Sequence, residues 1–228
     1  MKIKMGSLIR GAREAEGVVV IIDVFRCFTT EAVAFERGAE KIVLVSEVSE
    51  ALELRRAGVG HILMGEVGGS RPEFFDYGNS PYELMGADLQ GKTVIQSTRA
   101  GTVGVVAAKE AHEIYGGSLV VAKATVSAIL RRNPDVVTLV AMGWEGKIKA
   151  DEDEQCALYM RNLLQGRNPD IKALTALILS GEESQKYDDP SKPQWPLKDR
   201  EMALAVDSHN FSLRIRKEEG LLVARPER

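Results

Sequence analysis

Five consecutive β-branched residues, Val18-Val19-Val20-Ile21-Ile22, constrain this chain more than any other feature. A strand with one wet face alternates apolar and polar residues. An unbroken run must instead be covered on both faces, as strands of a parallel sheet are. The run is strand-sized, far short of the roughly 20 residues a membrane-spanning helix needs. Similar short runs recur at 41–45, 61–64, 93–96, 118–122 and 136–141. Between them the pattern predicts helices over 29–38, 48–57, 102–112, 126–132 and 151–165, several of them with hydroxyl or acidic starts and glycine stops. Such alternation predicts an α/β fold, three-layer α/β/α, with a largely parallel or mixed sheet.

The expected organisation is a core over 1–180, divisible into related halves of about 1–90 and 91–180, then a C-terminal extension over 181–228. The halves are suggested by an internal βα repeat. Asp23-x-x-Arg26-x-x-Thr29 and Gln96-x-x-Arg99-x-x-Thr102 each follow a strand at a constant offset of 73 residues. The extension begins with a linker-like stretch rich in Asp, Pro and Lys at 187–196. Alternation at 211–216 and an apolar run at 221–224, joined through Glu219-Gly220, predict a terminal β-hairpin.

Net charge is −3 and the isoelectric point about 5.8, so no basic surplus points to nucleic acid. No segment reads as a membrane anchor. The two cysteines, Cys27 and Cys156, form neither a metal-ligand spacing nor a disulfide framework, which fits a reducing cytoplasm. A small-molecule task is expected; a homo-oligomer is left open.

Four segments can carry chemistry. Asp23 follows the first buried strand, with Arg26 three residues on and Thr29/Thr30 at a helix start. Ligands of open α/β sheets bind outside the carboxyl ends of strands, where helix N-termini favour anions. Arg26 can hold phosphate or carboxylate bidentately. Asp23 beside such an anion makes electrostatic sense as a metal ligand or proton-transfer group; a capped turn is the plainer alternative. Ser97-Thr98-Arg99-Ala100-Gly101-Thr102 repeats the arrangement with hydroxyls and a close-approach glycine. Gly65-Glu66 ends a strand and leads through Gly68-Gly69-Ser70-Arg71 to Asn79-Ser80, a long irregular loop suited to a cation and a phosphate together. Asp151-Glu152-Asp153-Glu154 opens a helix, which the helix dipole alone favours, yet it could supply a metal ligand. His61, His112 and His209 read as structural, Cys27 as a lining residue, and Trp144 and Trp195 as packing.

These motifs, in this order, resemble those of the 2-phosphosulfolactate phosphatase family. The residues are Asp23-Val24-Phe25-Arg26-Cys27-Phe28-Thr29-Thr30, then Gly65-Glu66 with Gly68-Gly69. Phe75-Asp76-Tyr77-Gly78-Asn79-Ser80-Pro81 follows, then Thr98-Arg99-Ala100-Gly101-Thr102 and Glu152-Asp153-Glu154-Gln155-Cys156-Ala157. The resemblance implies an α/β/α fold and Mg²⁺-dependent hydrolysis of the phosphate ester of a small 2-hydroxy acid. Carried onto these positions, it implies Asp23, Glu66 and Arg26 as catalytic residues and Asp23, Glu66 and Asp153 as Mg²⁺ ligands. Arg26, Thr29, Thr30, Arg71, Asn79, Ser80, Ser97, Thr98, Arg99, Gly101 and Thr102 would bind substrate. The turn at 97–102 is one residue longer than the family's usual form, and 144–150 is atypical. Both departures bear on substrate choice. The alternative from another class is a non-catalytic binder of small phosphorylated acids.

Overall fold

In the computed structural model, which describes residues 1–108 and 111–228, the β-branched run forms strand β2 (Gly17–Ile22). Within these residues it joins eight other strands in one mixed sheet. They are β1 (Lys2–Ser7), β3 (Lys41–Val45), β4 (Ile62–Gly65), β5 (Thr93–Ser97), β6 (Ala111–Gly117), β7 (Val136–Ala141), β8 (Ser212–Glu218) and β9 (Leu221–Glu227). Helices α1 (Leu8–Arg13), α2 (Cys27–Glu36), α3 (Val48–Arg56), α4 (Gly101–Ala107) and α5 (Ala122–Arg132) connect the strands. After β7 come α6 (Asp151–Leu164), α7 (Ile171–Leu179), α8 (Glu182–Gln185) and α9 (Leu197–Ala203).

The period-2 geometry of a strand explains why β2 is apolar throughout. Val19 and Ile21 enter one core with α2 and α4, while Val18, Val20 and Ile22 enter a second with α5 and α6. At the other end of the sheet, Ile42 and Leu44 of β3 face the first core, and Val43 and Val45 face a third beneath α3. Helices therefore cover both faces, as the sequence predicts. Helix α2 is buried along nearly its whole length, Cys27 through Phe35, so it belongs to the interior rather than the surface.

The strand order is β1-β7-β2-β6-β8-β9-β3-β5-β4. β1, β7, β2 and β6 are mutually parallel, as are β3, β5 and β4. The pairings β6–β8, β8–β9 and β9–β3 are all antiparallel, so the two parallel blocks run in opposite directions. The C-terminal hairpin is thus the middle of the sheet. Helix α4 touches β2, β6 and β3. In a flat sheet β2 and β3 would lie about 19 Å apart, four strand spacings, whereas a helix is about 10–12 Å across. The sheet must curl around α4, and the curl brings loops from the two blocks together.

Three local expectations change. The N-terminal residues form an edge strand, β1, and a short helix, α1, that the sequence pattern did not reveal. The strand expected at 118–122 lies earlier, at β6, and Leu119–Val121 is a 3-10 turn leading into α5. The Gly116-Gly117 pair disguises this strand; the Phe28 ring packs directly on Gly116, and Val20 and Ile22 on Gly117. The helix expected over 102–112 ends at Ala107; Lys109 and Glu110 of that expectation lie outside the described residues. The β2–α2 and β5–α4 units keep the repeat's order, but Asp23 follows its strand while Gln96 lies inside β5.

Candidate active site

Asp23 stands in the turn between β2 and α2, with both carboxylate oxygens accepting backbone N–H groups. Oδ1 accepts from Cys27, the first residue of α2, at 3.1 Å, and Oδ2 from Gly101, the first of α4, at 2.8 Å. One carboxylate therefore serves two helix N-termini, each of which favours a negative charge. Gly101 is required by this closeness: a Cβ there would lie 2.6 Å from Cys27 Sγ and 3.0 Å from Asp23 Oδ2.

Two more acids stitch loops in the same way. Glu66, after β4, accepts from Gly69 N at 2.8 Å and from Arg99 N, after β5, at 2.7 Å. Asp153, in the first turn of α6, accepts from Val24 N at 2.7 Å and Gly143 N at 2.8 Å, joining the loops after β2 and β7. The acidic opening of α6 thus does more than satisfy its dipole. Backbone tethers fix all three side chains.

Asp23, Glu66, Asp153 and Glu152 line one cleft, together with Arg26, Asn79, Arg99, Trp144, Glu183 and Trp195. Burial is the main force on the acids. It raises the Asp23 carboxyl to about 6, helped by the charge of Glu66 and opposed by the Cys27 and Gly101 N–H groups and Arg26. It pushes Glu152 up to about 8, with repulsion from Glu183 and Asp23 adding to the effect. Asp153 is also pushed well above the carboxylate range by burial, then by Glu152 and Asp23. Just beneath, burial and Asp23 likewise raise Glu31, and burial raises the Cys27 thiol, so Cys27 is no ready thiolate.

Buried carboxyls whose ionisation is this costly ionise readily only beside a counter-cation. Among the described residues, no group of three or more His, Cys, Asp or Glu side chains is arranged to hold a metal ion. Mg²⁺ usually takes only one or two carboxylates, with water and substrate oxygens completing its shell. The hard-oxygen donors of the cleft fit that requirement.

Of the residues singled out from sequence, Asp23, Arg26, Glu66, Asn79, Arg99 and Asp153 come together around the cleft. The others sit behind or beside it. Thr29 Oγ1 donates to Val24 O at 2.9 Å, and Thr30 is buried in α2. Ser97 is the buried end of β5, and Thr98 and Thr102 bond each other at the α4 start, where Thr102 Oγ1 accepts from Thr98 N at 2.9 Å. Ser80 Oγ donates to Asp199 at 2.7 Å, and Arg71 bonds Asp76 O at 3.1 Å on an exposed loop. Gly101 acts through its backbone N–H. The N-termini of α2 and α4 are therefore occupied by Asp23's own carboxylate.

Arg26 is not a free phosphate hook. Its Nη1 bonds Asp199 Oδ2 at 2.8 Å and Gln194 O at 2.9 Å, and its Nη2 bonds Gly69 O at 3.1 Å. Its guanidinium lies 4.4 Å from the Trp195 ring centroid. Trp195 also packs on Trp144 and Tyr187, and Lys186 Nζ lies 3.9 Å from the Trp144 ring. Both tryptophans thus pack and line the cleft at once. Sequence reasoning missed Glu183, Trp195 and Asp199 as site residues, because they lie in or beside a stretch of linker-like composition that carries no signal of where the chain returns. Glu152 did carry one, since its motif was visible.

A family model described as 2-phosphosulpholactate phosphatase matches residues 5–192. A protein of Carboxydothermus hydrogenoformans named probable 2-phosphosulfolactate phosphatase is 42% identical over 146 residues, 64% of this chain and 60% of that protein. One of the same name from Thermoplasma volcanium is 34% identical over 165 residues, 72% of this chain and 76% of that one. Another, from Bacillus subtilis, is 30% identical over 184 residues, 79% of this chain and 78% of that one. The first match spans less than two thirds of that relative's length.

Proposed function

The chain belongs to the 2-phosphosulpholactate phosphatase family, and from that premise we propose that it is a Mg²⁺-dependent phosphatase. Its substrate would be the phosphate ester of a small 2-hydroxy acid, such as 2-phosphosulfolactate, and its products sulfolactate and phosphate. The observation that carries this reading is the convergence of Asp23, Glu66, Glu152 and Asp153 on a cleft that also presents Arg26 and Arg99. A site built for anions alone would not gather four acids. The same observation gives no support to a non-catalytic binder of phosphorylated acids.

Of Asp23, Glu66 and Asp153, one or two would hold Mg²⁺, with water and substrate oxygens filling the rest of its shell. The cation supplies charge neutralisation and Lewis-acid polarisation at the phosphoryl oxygens. Phosphoryl transfer depends mainly on positioning and on stabilising charge. Backbone tethers hold the three carboxylates before substrate arrives, so little reorganisation is needed. Whichever of Asp23 and Glu66 is not committed to the cation accepts the proton of the attacking water at a carboxylate oxygen. Burial raises the Asp23 carboxyl to about 6, nearer neutrality than an ordinary aspartate, which suits a group that accepts a proton. Arg99 lines the cleft and has only long contacts, 3.4 Å to Ser46 O and 3.6 Å to Glu47, to give up in turning toward a phosphate. Trp144 and Trp195 line the cleft with apolar rings that restrict water there.

No helix among the described residues is long and apolar enough to cross a membrane, and both cysteines are free and buried. A cytoplasmic setting is part of the proposal. Phosphate release from a panel of phosphorylated 2-hydroxy acids, with Mg²⁺ and with EDTA, tests the whole reading. Mg²⁺-dependent release supports it. No release from any of them by the folded protein removes the enzymatic reading.

A further inference from the structure

We propose that Asp199, on α9, is a positioning residue that locks Arg26 so that one edge of its guanidinium receives an oxyanion group of the substrate. The proposal rests on the functional reading above for the identity of the substrate, and on independent geometry for the role. Asp199 and Trp195 both lie beyond the segment matched by the family model, 5–192.

Arg26 and Asp199 form an ion pair at 2.8 Å, with side chains 2% and 0% exposed. Asp199 is itself fixed: Oδ1 accepts from Ser80 Oγ at 2.7 Å and from Tyr82 N at 3.0 Å. A guanidinium has five N–H donors in a rigid fork. The two on Nη1 go to Asp199 and Gln194 O, and one on Nη2 goes to Gly69 O. Nε–H is buried without a partner, and one Nη2 hydrogen is unassigned. Nε–H lies on the side-on edge of the fork, the edge whose Nε and Nη2 donors meet a carboxylate, sulfonate or phosphate with two parallel bonds. Arg26 lines the cleft. A buried cation that lines a polar cleft and keeps an unused donor fits an incoming anion. The Trp195 face at 4.4 Å and the Asp199 bond hold the plane of the guanidinium. The C-terminal segment thereby supplies part of the site, although it carries no motif.

The acceptor group on the substrate is an oxyanion at either end, the phosphoryl group or the sulfonate and carboxylate of the acid. The product anions separate the two. Binding of inorganic phosphate (with Mg²⁺) and of sulfolactate is followed by calorimetry and by tryptophan emission, since both tryptophans of the chain line the cleft. Asp199→Asn keeps an acceptor for Ser80 and Tyr82 while removing the charge that orients Arg26. Arg26→Lys keeps the charge but lacks the bidentate edge. Each variant should weaken one anion roughly ten- to hundredfold, the range of a lost charge-assisted hydrogen bond. Loss on sulfolactate assigns the edge to the acid end, and loss on phosphate to the phosphoryl end. In turnover, the acid-end assignment should raise KM more than it lowers kcat. Unchanged affinity for both anions in Arg26→Lys overturns the proposal, even if Asp199→Asn fails to fold. Because binding is read without turnover, a wild-type protein that binds these anions but releases no phosphate refutes the phosphatase reading alone.

Discussion

Replacing Asp23 with Asn separates the acid's structural role from its chemical one. Burial raises the Asp23 carboxyl from 3.8 to about 6, a difference equivalent to about 3 kcal/mol between the two protonation states. At pH 7 the folded protein bears that cost to keep the charge. The amide removes the cost. It also turns one acceptor into a donor facing the N–H of either Cys27 or Gly101, and an unpaired buried N–H costs about 1–3 kcal/mol. The terms oppose each other, so Asp23→Asn should lie within about 2 kcal/mol of wild type at pH 7. The pH dependence has a definite sign. The folded state holds this proton more tightly than the unfolded chain, so this group's contribution to wild-type stability grows as pH falls from about 6 toward 3.8. Asp23→Asn lacks that contribution. Urea denaturation without Mg²⁺ should therefore show the wild-type-minus-variant difference moving by about 2 kcal/mol in favour of wild type between pH 7 and pH 4.5. Phosphate release at pH 7.5 should fall by at least about a hundredfold, and Mg²⁺ should raise the melting temperature of wild type but not of the variant. A stability difference that does not change with pH would refute the burial reasoning. Near-normal phosphate release would remove Asp23 from the mechanism.

Gly101→Ala places a methyl 2.6 Å from Cys27 Sγ and 3.0 Å from Asp23 Oδ2. It should destabilise by about 1–3 kcal/mol and impair activity, read by thermal melting and phosphate release; a neutral result would show that the two helix starts can separate freely. Removing residues 212–228 takes out the two central strands rather than a tail. The truncated chain should lose cooperative unfolding in urea, and a folded, active product would refute the topology.

Fold class and half of the cleft were legible in the sequence because they rest on local periodicity and on short motifs. The continuous run Val18–Ile22 demands cover on both faces, and Asp23, Glu66, Arg99 and Asp153 each belong to a segment whose composition announces a strand end or a helix start. Sequence by itself determined those elements and the acids they carry. Only the tertiary structure decided that β8 and β9 lie between two parallel blocks, since pairing partners far apart in the chain leave no local trace. It also decided that Asp23 satisfies two helix starts that sequence reasoning had left free for phosphate. Arg26 met the same fate: as a residue beside a helix start it looks available, and only the return of the chain at Asp199 and Trp195 shows how its donors are distributed. The physical reason is common to these cases. Local sequence sets which groups a segment offers, whereas burial and long-range hydrogen bonding decide which of those groups are already used.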